Sequence, residues 1–363
     1  MDHPIKHQNM QALADYQRQL FRQPKLRFLF FELTDQCNLN CLHCGSGCTE
    51  THHTYLPMDA ISKVMCSVAS ESQPDSIMIC ITGGEPMLHP HIYDVIKLSK
   101  ELGFAVGMTS NGTLIDDKAA ARLVRSGLET ISISVDGLRE VHDAFRRTPG
   151  SFDKALSGIH ALQNAGMFPQ AFTVVHHDNF AQLDSIYQLL LEMRVDSWRL
   201  INIEPIGRAL AHSDLLLTPD EIKKLLHYIR DKHFDNTNLM EVTFGCSHFL
   251  SFDLEREVRD FYFQCGAGLN VAGIRANGDI GACLDIAPLP ELIQGNIFRD
   301  DFMTVWKNGY QAFRTDRTAR SKTCSACQYK AVCLGDSAHT WDFEHNEPDY
   351  CFVKMWEAKP DDQ

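Results

Sequence analysis

The sequence predicts an α/β fold built on a parallel sheet. Short apolar stretches alternate with longer amphipathic ones from residue 28 to about 233, which is the pattern of repeated strand–helix units. Such units form parallel strands with right-handed crossovers, in a sheet that is either open or curled into a barrel. After this part the sequence changes to cysteines, glycines and short hairpin signals, which indicates a second, smaller domain.

The individual elements follow from hydrophobic periodicity and capping residues. Helices often begin at a side chain that accepts a backbone hydrogen bond, and Asp116 and Ser151 are predicted to cap helices. In parallel-sheet proteins the functional residues lie at the C-terminal ends of the strands. The strand candidates are Arg27–Thr34, Ser76–Thr82, Ala105–Ser110, Thr130–Val135, Gln170–Val175 and Trp198–Ile203. The helix candidates are Asp59–Ser72, Ile92–Leu102, Asp116–Ser126, Phe152–Ala165, Phe180–Met193, Pro219–Asp231 and Phe302–Phe313.

Composition and charge exclude several classes of function. The 363 residues carry 34 basic and 47 acidic side chains, a net charge of −13, so no basic field exists to bind nucleic acid or an anionic membrane. No apolar run approaches the ~18 residues that a membrane span needs. The N-terminal segment is polar and lacks the apolar stretch of a secretory signal. We therefore expect a cytoplasmic protein.

The domain organisation follows from the same change in pattern. We predict an N-terminal extension over residues 1–27, a strand–helix domain over 28–235, a cysteine-rich domain over 236–355 and a tail over 356–363. At ~150 residues per domain, two domains agree with the length of the chain.

A loop with three closely spaced cysteines follows the first predicted strand. Cys37, Cys41 and Cys44 can converge on one metal centre, because only three and two residues separate them on one loop. Three thiolates would leave one iron of a four-iron cluster without a protein ligand. A structural zinc loop would need a fourth ligand, and Cys48 is the nearest further cysteine. In a reducing compartment such spacing indicates metal binding or catalysis rather than disulfides.

This loop resembles the signature of the radical S-adenosylmethionine (SAM) enzymes, C-x3-C-x2-C at the end of the first barrel strand. His43 stands where the family usually has an aromatic residue. The resemblance implies a partial (β/α)6 barrel, a 4Fe-4S cluster and bound SAM, whose reductive cleavage gives a 5'-deoxyadenosyl radical that abstracts hydrogen. It assigns SAM contacts to Gly83, Gly84, Glu85, Pro86, Ser110, Asn111, Ser134, Arg146 and His43, with Ser134 and Arg146 at the SAM carboxylate.

The C-terminal cysteines resemble the SPASM domain of the same family, which holds two auxiliary iron-sulfur clusters. An Asn277-Gly278 pair between apolar runs predicts a β-hairpin there. By resemblance, Cys324, Cys327, Cys333 and Cys351 would hold one cluster, and Cys265 and Cys283, with Cys246, the other. A zinc ribbon is the alternative for the C-x2-C pair, because spacing alone does not separate zinc from iron-sulfur. Cys66 and Cys80 are expected to be buried packing residues, and Cys48 stays unassigned.

The family pattern also predicts a cysteine at position 337, where this chain has Ser337. The cluster of Cys265 and Cys283 would then take an oxygen from Ser337 or Asp336, a nitrogen from His339, or keep an open site for substrate. The alternative is that this cluster is absent and that Cys265 and Cys283 only pack a hairpin. Asp285 is a candidate acid/base, although relatives have their carboxylate one position earlier, directly after the cysteine equivalent to Cys283. A surface carboxylate is the alternative for Asp285.

The resemblance implies a radical SAM oxidoreductase that matures a peptide or protein, either a ribosomally made peptide or a sulfatase. The 27 residues before the first strand are too few for a separate leader-binding domain, since domains below about 40 residues rarely fold alone. A peptide would therefore be recognised by the barrel mouth, the cluster domain or a separate leader-binding protein, and a flavodoxin or ferredoxin would supply electrons. The alternatives are a dehydrogenase or epimerase of a small molecule such as a sugar or aminoglycoside, and a non-catalytic electron-transfer protein.

Overall fold

The structure is a computed structural model that describes residues 3–235, 239–245 and 248–357. The strands are β1 Phe28–Glu32, β2 Met78–Thr82, β3 Ala105–Ser110, β4 Thr130–Ser134, β5 Gln170–Val175, β6 Ser197–Asn202, β7 Glu241–Phe244, β8 Val271–Ile274, β9 Asp279–Gly281, β10 Gly295–Asn296, β11 Trp341–Asp342 and β12 Glu347–Pro348. The helices are α1 His3–Leu20, α2 Met58–Glu71, α3 Ile92–Glu101, α4 Asp117–Ser126, α5 Arg139–Arg146, α6 Ser151–Asn164, α7 His177–Phe180, α8 Leu183–Glu192, α9 Pro219–His233, α10 Ser251–Leu254, α11 Phe302–Asn308, α12 Lys322–Ser325, α13 Lys330–Cys333 and α14 Phe352–Glu357.

Strands β1 to β7 lie side by side in sequence order, and each pairs in parallel with the next. The register of β1 with β2 ends at Glu32 opposite Thr82, so the loops that follow these two strands begin at the same edge. The sheet continues beyond β1 through β8, β9 and β10, where β8 is parallel to β1 and the last two strands are antiparallel. The predicted α/β fold with a parallel core and a C-terminal hairpin is confirmed.

The predicted strands agree with the observed ones to within one or two residues, and two of them have the predicted bounds. Two local predictions were wrong. Ser151 is the first residue of α6, not its cap, and its hydroxyl donates to Asp143 instead. The helix that was predicted to run from Phe302 to Phe313 ends at Asn308, because Gly309 takes an extended conformation.

The hydrophobic core runs through the whole sheet and across the predicted domain boundary. Leu29 and Phe31 of β1 have no solvent exposure, and Phe302 and Trp306 of α11 belong to the same buried group. Because β8 is also paired with β1, the cysteine-rich part shares its core with the strand–helix part. Among the described residues, no helix combines the length and apolar character needed to cross a membrane.

The N-terminal extension forms α1, which packs against the cysteine-rich part of the chain. Lys6 makes an ion pair with Glu257. The Gln17 side chain donates to the backbone oxygen of Cys265 at 2.9 Å, and Arg18 donates to that of Ala331 at 2.7 Å. The extension therefore supports the region in which the auxiliary clusters were predicted.

Candidate functional site

A cavity of about 330 Å³ lies at the C-terminal ends of the parallel strands. We call it the strand-end cavity. It brings together the cysteine loop that follows β1, the loops after β2, β3 and β4, and residues from the cysteine-rich part. Its lining includes the predicted residues Cys37, Cys41, His43, Cys44, Gly83, Gly84, Ser110, Asn111, Ser134, Arg146 and Asp285, together with Cys48, Arg208, Glu204 and His339.

The three cysteines of the loop are arranged for a cation that compensates thiolate charge. Burial raises the pKa of the Cys37 thiol to about 12, so a free thiolate would be unstable there. A hydrogen bond with the Cys48 thiol lowers the pKa of Cys44 to about 6. A cluster iron bound to three thiolates would remove the cost of burying their charge, so the donor set fits the predicted 4Fe-4S cluster.

The Gly83-Gly84-Glu85 segment is held against the cysteine loop by backbone hydrogen bonds. The Gly84 N–H donates to Thr34 O at 2.7 Å, and the Glu85 N–H donates to Gln36 O at 2.9 Å. A Cβ on Gly84 would lie 2.1 Å from Gln36 O, so the backbone of one of the two loops would have to shift. Glycine is therefore required by the neighbouring loop.

Glu85 lies behind the cavity wall and joins two strand ends. Its carboxylate accepts hydrogen bonds from the Ser110 hydroxyl and the Asn111 N–H, both at 2.8 Å, and from the Met87 N–H at 3.1 Å. The side chain is fully buried, and this burial raises the pKa of Glu85. Pro86 begins a short 3-10 turn at the same place. These contacts position the predicted SAM-contacting loops after β2 and β3.

Arg146 brings a fixed positive charge to the cysteine loop. Its Nε donates to Asp136 at 2.6 Å, and its Nη1 donates to the Cys41 thiol at 3.4 Å. Burial alone would lower the pKa of Arg146, but the charges of Asp136 and Cys41 raise it, so the guanidinium stays protonated. Asp136 also accepts from the Val174 N–H at 2.8 Å. The sequence prediction gave Asp136 no role, although its place directly after β4 was the available signal.

His43 serves as an apolar wall of the cavity. Its ring stacks on Phe145 with centroids 4.5 Å apart, and Phe145 stacks in turn on His176 at 4.0 Å. Burial lowers the pKa of His43 to about 3, so the ring is neutral. A neutral stacked imidazole presents the flat surface that an aromatic residue would present at this position.

The far wall of the strand-end cavity carries acidic and histidine side chains. Asp285 reaches this wall, with its carboxylate 3.8 Å from the Cys283 thiol. His339, predicted as one possible cluster ligand, contacts the Glu204 carboxylate at 2.5 Å. Glu204 was missed by the prediction, although it follows the end of β6.

His248 lies behind Glu204 and was also missed. Burial alone would lower the pKa of His248, but the carboxylates of Asp336 and Glu204 raise it to about 10. Nothing in the local sequence around His248 signals this contact, because its partners lie in distant segments.

A second cavity, of about 390 Å³, is lined by Cys324, Cys327, Cys333 and Cys351. We call it the four-cysteine cavity. The short helices α12 and α13 carry its wall, and the Cys324 N–H is capped by the Ser321 hydroxyl at 2.9 Å. Burial raises the pKa of Cys333 well above its usual value. The structure thus brings together the four cysteines that the resemblance grouped, and four thiolates suit a closed iron-sulfur cluster.

The cysteines predicted for the other auxiliary cluster do not share a cavity within the described part of the chain. Cys265 lines a cavity beside α1, whereas Cys283 lines a different small cavity. Ser337 is buried, and the next residue, Ala338, donates its N–H to the Cys265 thiol at 3.4 Å. Cys246 lies outside the described residues, so its assignment stays a prediction.

Two further cysteines were predicted to be buried packing residues. Cys66 is exposed on α2, so that expectation was wrong, and Cys80 is half-buried in β2.

Comparison with known protein families gives two matches. Residues 31–190 match the radical SAM superfamily, and residues 265–328 match the SPASM iron-sulfur cluster-binding domain. The chain is 30% identical over 314 residues to the mycofactocin maturase MftC of Mycobacterium tuberculosis, covering 85% of this chain and 77% of that protein. It is 26% identical over 348 residues to the AdoMet-dependent heme synthase of Methanosarcina barkeri, covering 90% of this chain and 97% of that protein.

Solved structures show the same fold. SuiB of Streptococcus suis bound to S-adenosylmethionine has a TM-score of 0.73 at 18% identity, covering 92% of this chain and 78% of that one. The enzyme anSMEcpe with bound AdoMet and Cp18Cys peptide has a TM-score of 0.71 at 18% identity, covering 92% of this chain and 95% of that one.

Proposed function

This chain belongs to the radical SAM enzymes that carry a C-terminal SPASM domain, and we propose that it oxidises a residue of a peptide or protein. Its cofactors are SAM and 4Fe-4S clusters. A relative at 30% identity is the mycofactocin maturase MftC. Of the structural neighbours named above, anSMEcpe has a structure with a bound Cp18Cys peptide, and SuiB has one with its precursor peptide SuiA. A flavodoxin or ferredoxin would deliver the electron.

The residues of the strand-end cavity have separate roles in this proposal. Cys37, Cys41 and Cys44 would hold the cluster that binds SAM, and together the two cofactors supply abstraction of a hydrogen atom from a C–H bond. The glycine segment and the loops that Glu85 joins would hold SAM. The stacked rings of His43 and Phe145 exclude water from that wall.

The observation that carries the choice of substrate is the charge of the cavity. Its two arginines are already engaged: Arg146 with Asp136, and Arg208 with the backbone oxygens of Cys41 and Cys48 at 2.7 and 2.9 Å. Asp285 adds a carboxylate to the far wall, whereas the Glu204 carboxylate there is paired with His339. A cavity whose cations are engaged and whose wall carries the Asp285 carboxylate suits a neutral or cationic peptide segment better than a polyanion.

In this proposal, Asp285 accepts a proton from the substrate. Oxidation of a C–H bond next to oxygen, sulfur or nitrogen releases one hydrogen atom, one proton and one electron. The Asp285 carboxylate lines the cavity that contains the cysteine loop, so it can take the proton. The auxiliary cluster predicted at Cys283, whose thiol lies beside Asp285, would take the electron. Leu284, which occupies the position of the carboxylate in relatives, is buried instead.

A tetrapyrrole is the second candidate substrate, because three AdoMet-dependent heme synthases match most of this chain at 26–29% identity. A tetrapyrrole with several carboxylates would need unengaged cations. Within the described lining of the strand-end cavity, both arginines already have partners. The charge argument therefore places the peptide first.

The deciding experiment is anaerobic turnover of the reconstituted enzyme with SAM and dithionite. We would compare peptides encoded beside the gene, and a random peptide pool, with Fe-coproporphyrin III, and measure 5'-deoxyadenosine and substrate mass. Peptide-dependent 5'-deoxyadenosine with a mass loss of two hydrogens supports the proposal. Stimulation by the tetrapyrrole alone would replace it with the second candidate.

Asp285→Asn tests the proton acceptor in the same assay. We expect substrate turnover to fall about 100-fold or more while SAM cleavage continues, because general-base catalysis contributes roughly 10²–10⁴-fold. Asp300→Asn, at a carboxylate outside the cavity lining, is the matched control. Normal turnover of Asp285→Asn would remove Asp285 from the mechanism.

A further inference from the structure

Two histidines and a carboxylate converge between the end of β6 and the cysteine-rich part of the chain. Glu204, His248 and His339 each place one ligand atom within 4.8 Å of the other two. We call these residues the Glu204 site. Glu204 and His339 line the strand-end cavity, and His248 lies behind them with no solvent exposure. The radical SAM chemistry proposed above gives these three side chains no catalytic role, and only His339 was predicted as one possible ligand of the cluster of Cys265 and Cys283.

The orientation of His248 is set by a second carboxylate. Its Nδ1 lies 2.9 Å from Asp336 Oδ2, so a neutral ring donates its Nδ1–H to Asp336 and holds its lone pair on Nε2. Nε2 is buried and makes no hydrogen bond within the described part of the chain, yet it lies 3.2 Å from Glu204 Oε1. A lone pair that faces a carboxylate oxygen at this distance requires a cation or a proton between them.

The other Glu204 oxygen faces a ring nitrogen of the second histidine, His339. Glu204 Oε2 lies 2.5 Å from His339 Nε2, so both carboxylate oxygens face a ring nitrogen. Two nitrogens and one carboxylate are the protein ligands of many catalytic zinc sites and of non-heme iron(II) sites. The Asp336–His248 contact is the carboxylate–histidine arrangement that orients such ligands.

We propose that Glu204, His248 and His339 bind one divalent transition-metal ion, zinc or iron(II), with an open coordination position toward the strand-end cavity. One divalent cation would balance the charges of Glu204 and Asp336 and would satisfy both ring nitrogens at once. Its open position would take a carbonyl or carboxylate oxygen of the substrate as a Lewis acid. This site does not depend on the identity of the substrate, so it goes beyond the function proposed above.

Zinc is the probe for this site. The holoenzyme, with its iron-sulfur clusters reconstituted anaerobically, would be incubated with zinc sulfate, desalted, and analysed for zinc and iron by mass spectrometry and for zinc ligands by X-ray absorption. We expect about one zinc per chain, bound by nitrogen and oxygen at roughly 2.0–2.1 Å and without a sulfur shell at about 2.3 Å.

Two variants and two controls connect the zinc to these residues. Glu204→Gln and His339→Gln should weaken zinc binding at least about tenfold with unchanged iron content, because each removes one of three protein ligands. His345→Gln changes an exposed histidine of the same region and should leave zinc unchanged. Cys66→Ser, at an exposed cysteine outside the predicted clusters, should also leave it unchanged, which separates this site from adventitious binding to cysteines.

Three results would overturn the proposal: less than about 0.1 zinc per chain, sulfur in the zinc ligand shell, or full zinc retention in both ligand variants. If the variants also lose iron, the ligand shell of the unmodified holoenzyme decides alone. The proton-only alternative, two protonated histidines around Glu204, predicts the first result. Failure of this test leaves the peptide oxidation assay unaffected, and failure of that assay leaves the zinc measurement unaffected.

Discussion

The two cysteine-rich regions of the molecule are supported in different ways. The cysteine loop after β1 is held by its neighbours: the glycine segment bonds to it through two backbone hydrogen bonds, and Arg146 reaches one of its thiols. The four-cysteine cavity is enclosed by short helices of four residues, α12 and α13. We infer that the sheet organises the first region before any cluster binds, and that the second region depends more on its cluster for order.

The difference follows from where each region lies in the fold. The ends of parallel strands are fixed by the ladder on both sides, so loops that leave them start from determined positions. Short helices without a strand ladder have few backbone constraints, and a metal cluster then supplies part of the folding free energy. A cysteine loop that is already ordered suits a catalytic cluster. A four-cysteine cavity that needs its cluster for order suits a structural or electron-transfer cluster.

Removal of the three loop cysteines is the strongest test of this contrast. The triple variant Cys37→Ala, Cys41→Ala, Cys44→Ala should lose SAM cleavage entirely, because no thiolate would remain to hold the cluster that binds SAM. Iron should fall by about four atoms per chain while the C-terminal iron stays. Iron analysis and 5'-deoxyadenosine measurement check both statements. Retained SAM cleavage would refute the assignment of the loop.

Removal of all iron should affect the two regions unequally. After anaerobic chelation, amide hydrogen exchange in residues 322–334 should speed up by at least about tenfold, whereas strands β1 and β2 should keep their protection. The apo protein would be compared with the reconstituted one by exchange mass spectrometry. Equal acceleration in both regions would contradict the claim that the sheet organises the first loop.

Ser337→Cys tests the predicted auxiliary cluster of Cys265 and Cys283, which has fewer cysteine ligands than the other one. Residue 337 is buried next to the Ala338 N–H that contacts the Cys265 thiol, so a thiol there would lie near Cys265. We expect iron bound in that part of the chain to become harder to remove, since thiolate is the softer and better iron ligand. Iron release in the presence of a chelator, followed over time, measures this. Ser325→Cys, at an exposed position between Cys324 and Cys327, is the control and should not change the release rate.

Much of the architecture followed from the sequence, because strand periods and the motifs at strand ends are local signals. The order of the motifs predicted that Cys37, Gly83 and Ser134 would meet, and the structure places all three in one cavity. The Glu204 site could not be predicted in this way. His339 and Glu204 are 135 residues apart, and their contact depends on how the cysteine-rich part folds back over β6.

The extent of the shared core was unpredictable for the same reason. Strand β8 begins after the predicted boundary, yet it pairs with β1, and β7 extends the other edge of the sheet. A four-residue apolar strand carries too little periodicity to be assigned to a particular sheet. Tertiary pairing, which the local sequence does not encode, decided where these strands joined.

The smallest expected effect compares one glycine beside the cysteine loop with one in the C-terminal hairpin. Gly84→Ala would place a Cβ 2.1 Å from Gln36 O in the preorganised loop, whereas Gly281→Ala in β9 meets only Cys283 O, at 3.8 Å. We expect Gly84→Ala to lower the free energy of unfolding by about 1–3 kcal/mol, and Gly281→Ala to change it by less than about 0.5 kcal/mol.

Denaturant unfolding of the reconstituted proteins measures both glycine variants under the same conditions. Because the Gly84 N–H also donates to Thr34 O, strain at this position should spread to the cysteine loop and weaken SAM binding as well. Equal stability of the two variants would show that the glycine segment can move away from the cysteine loop. The first region would then depend on its cluster for order as much as the four-cysteine cavity does.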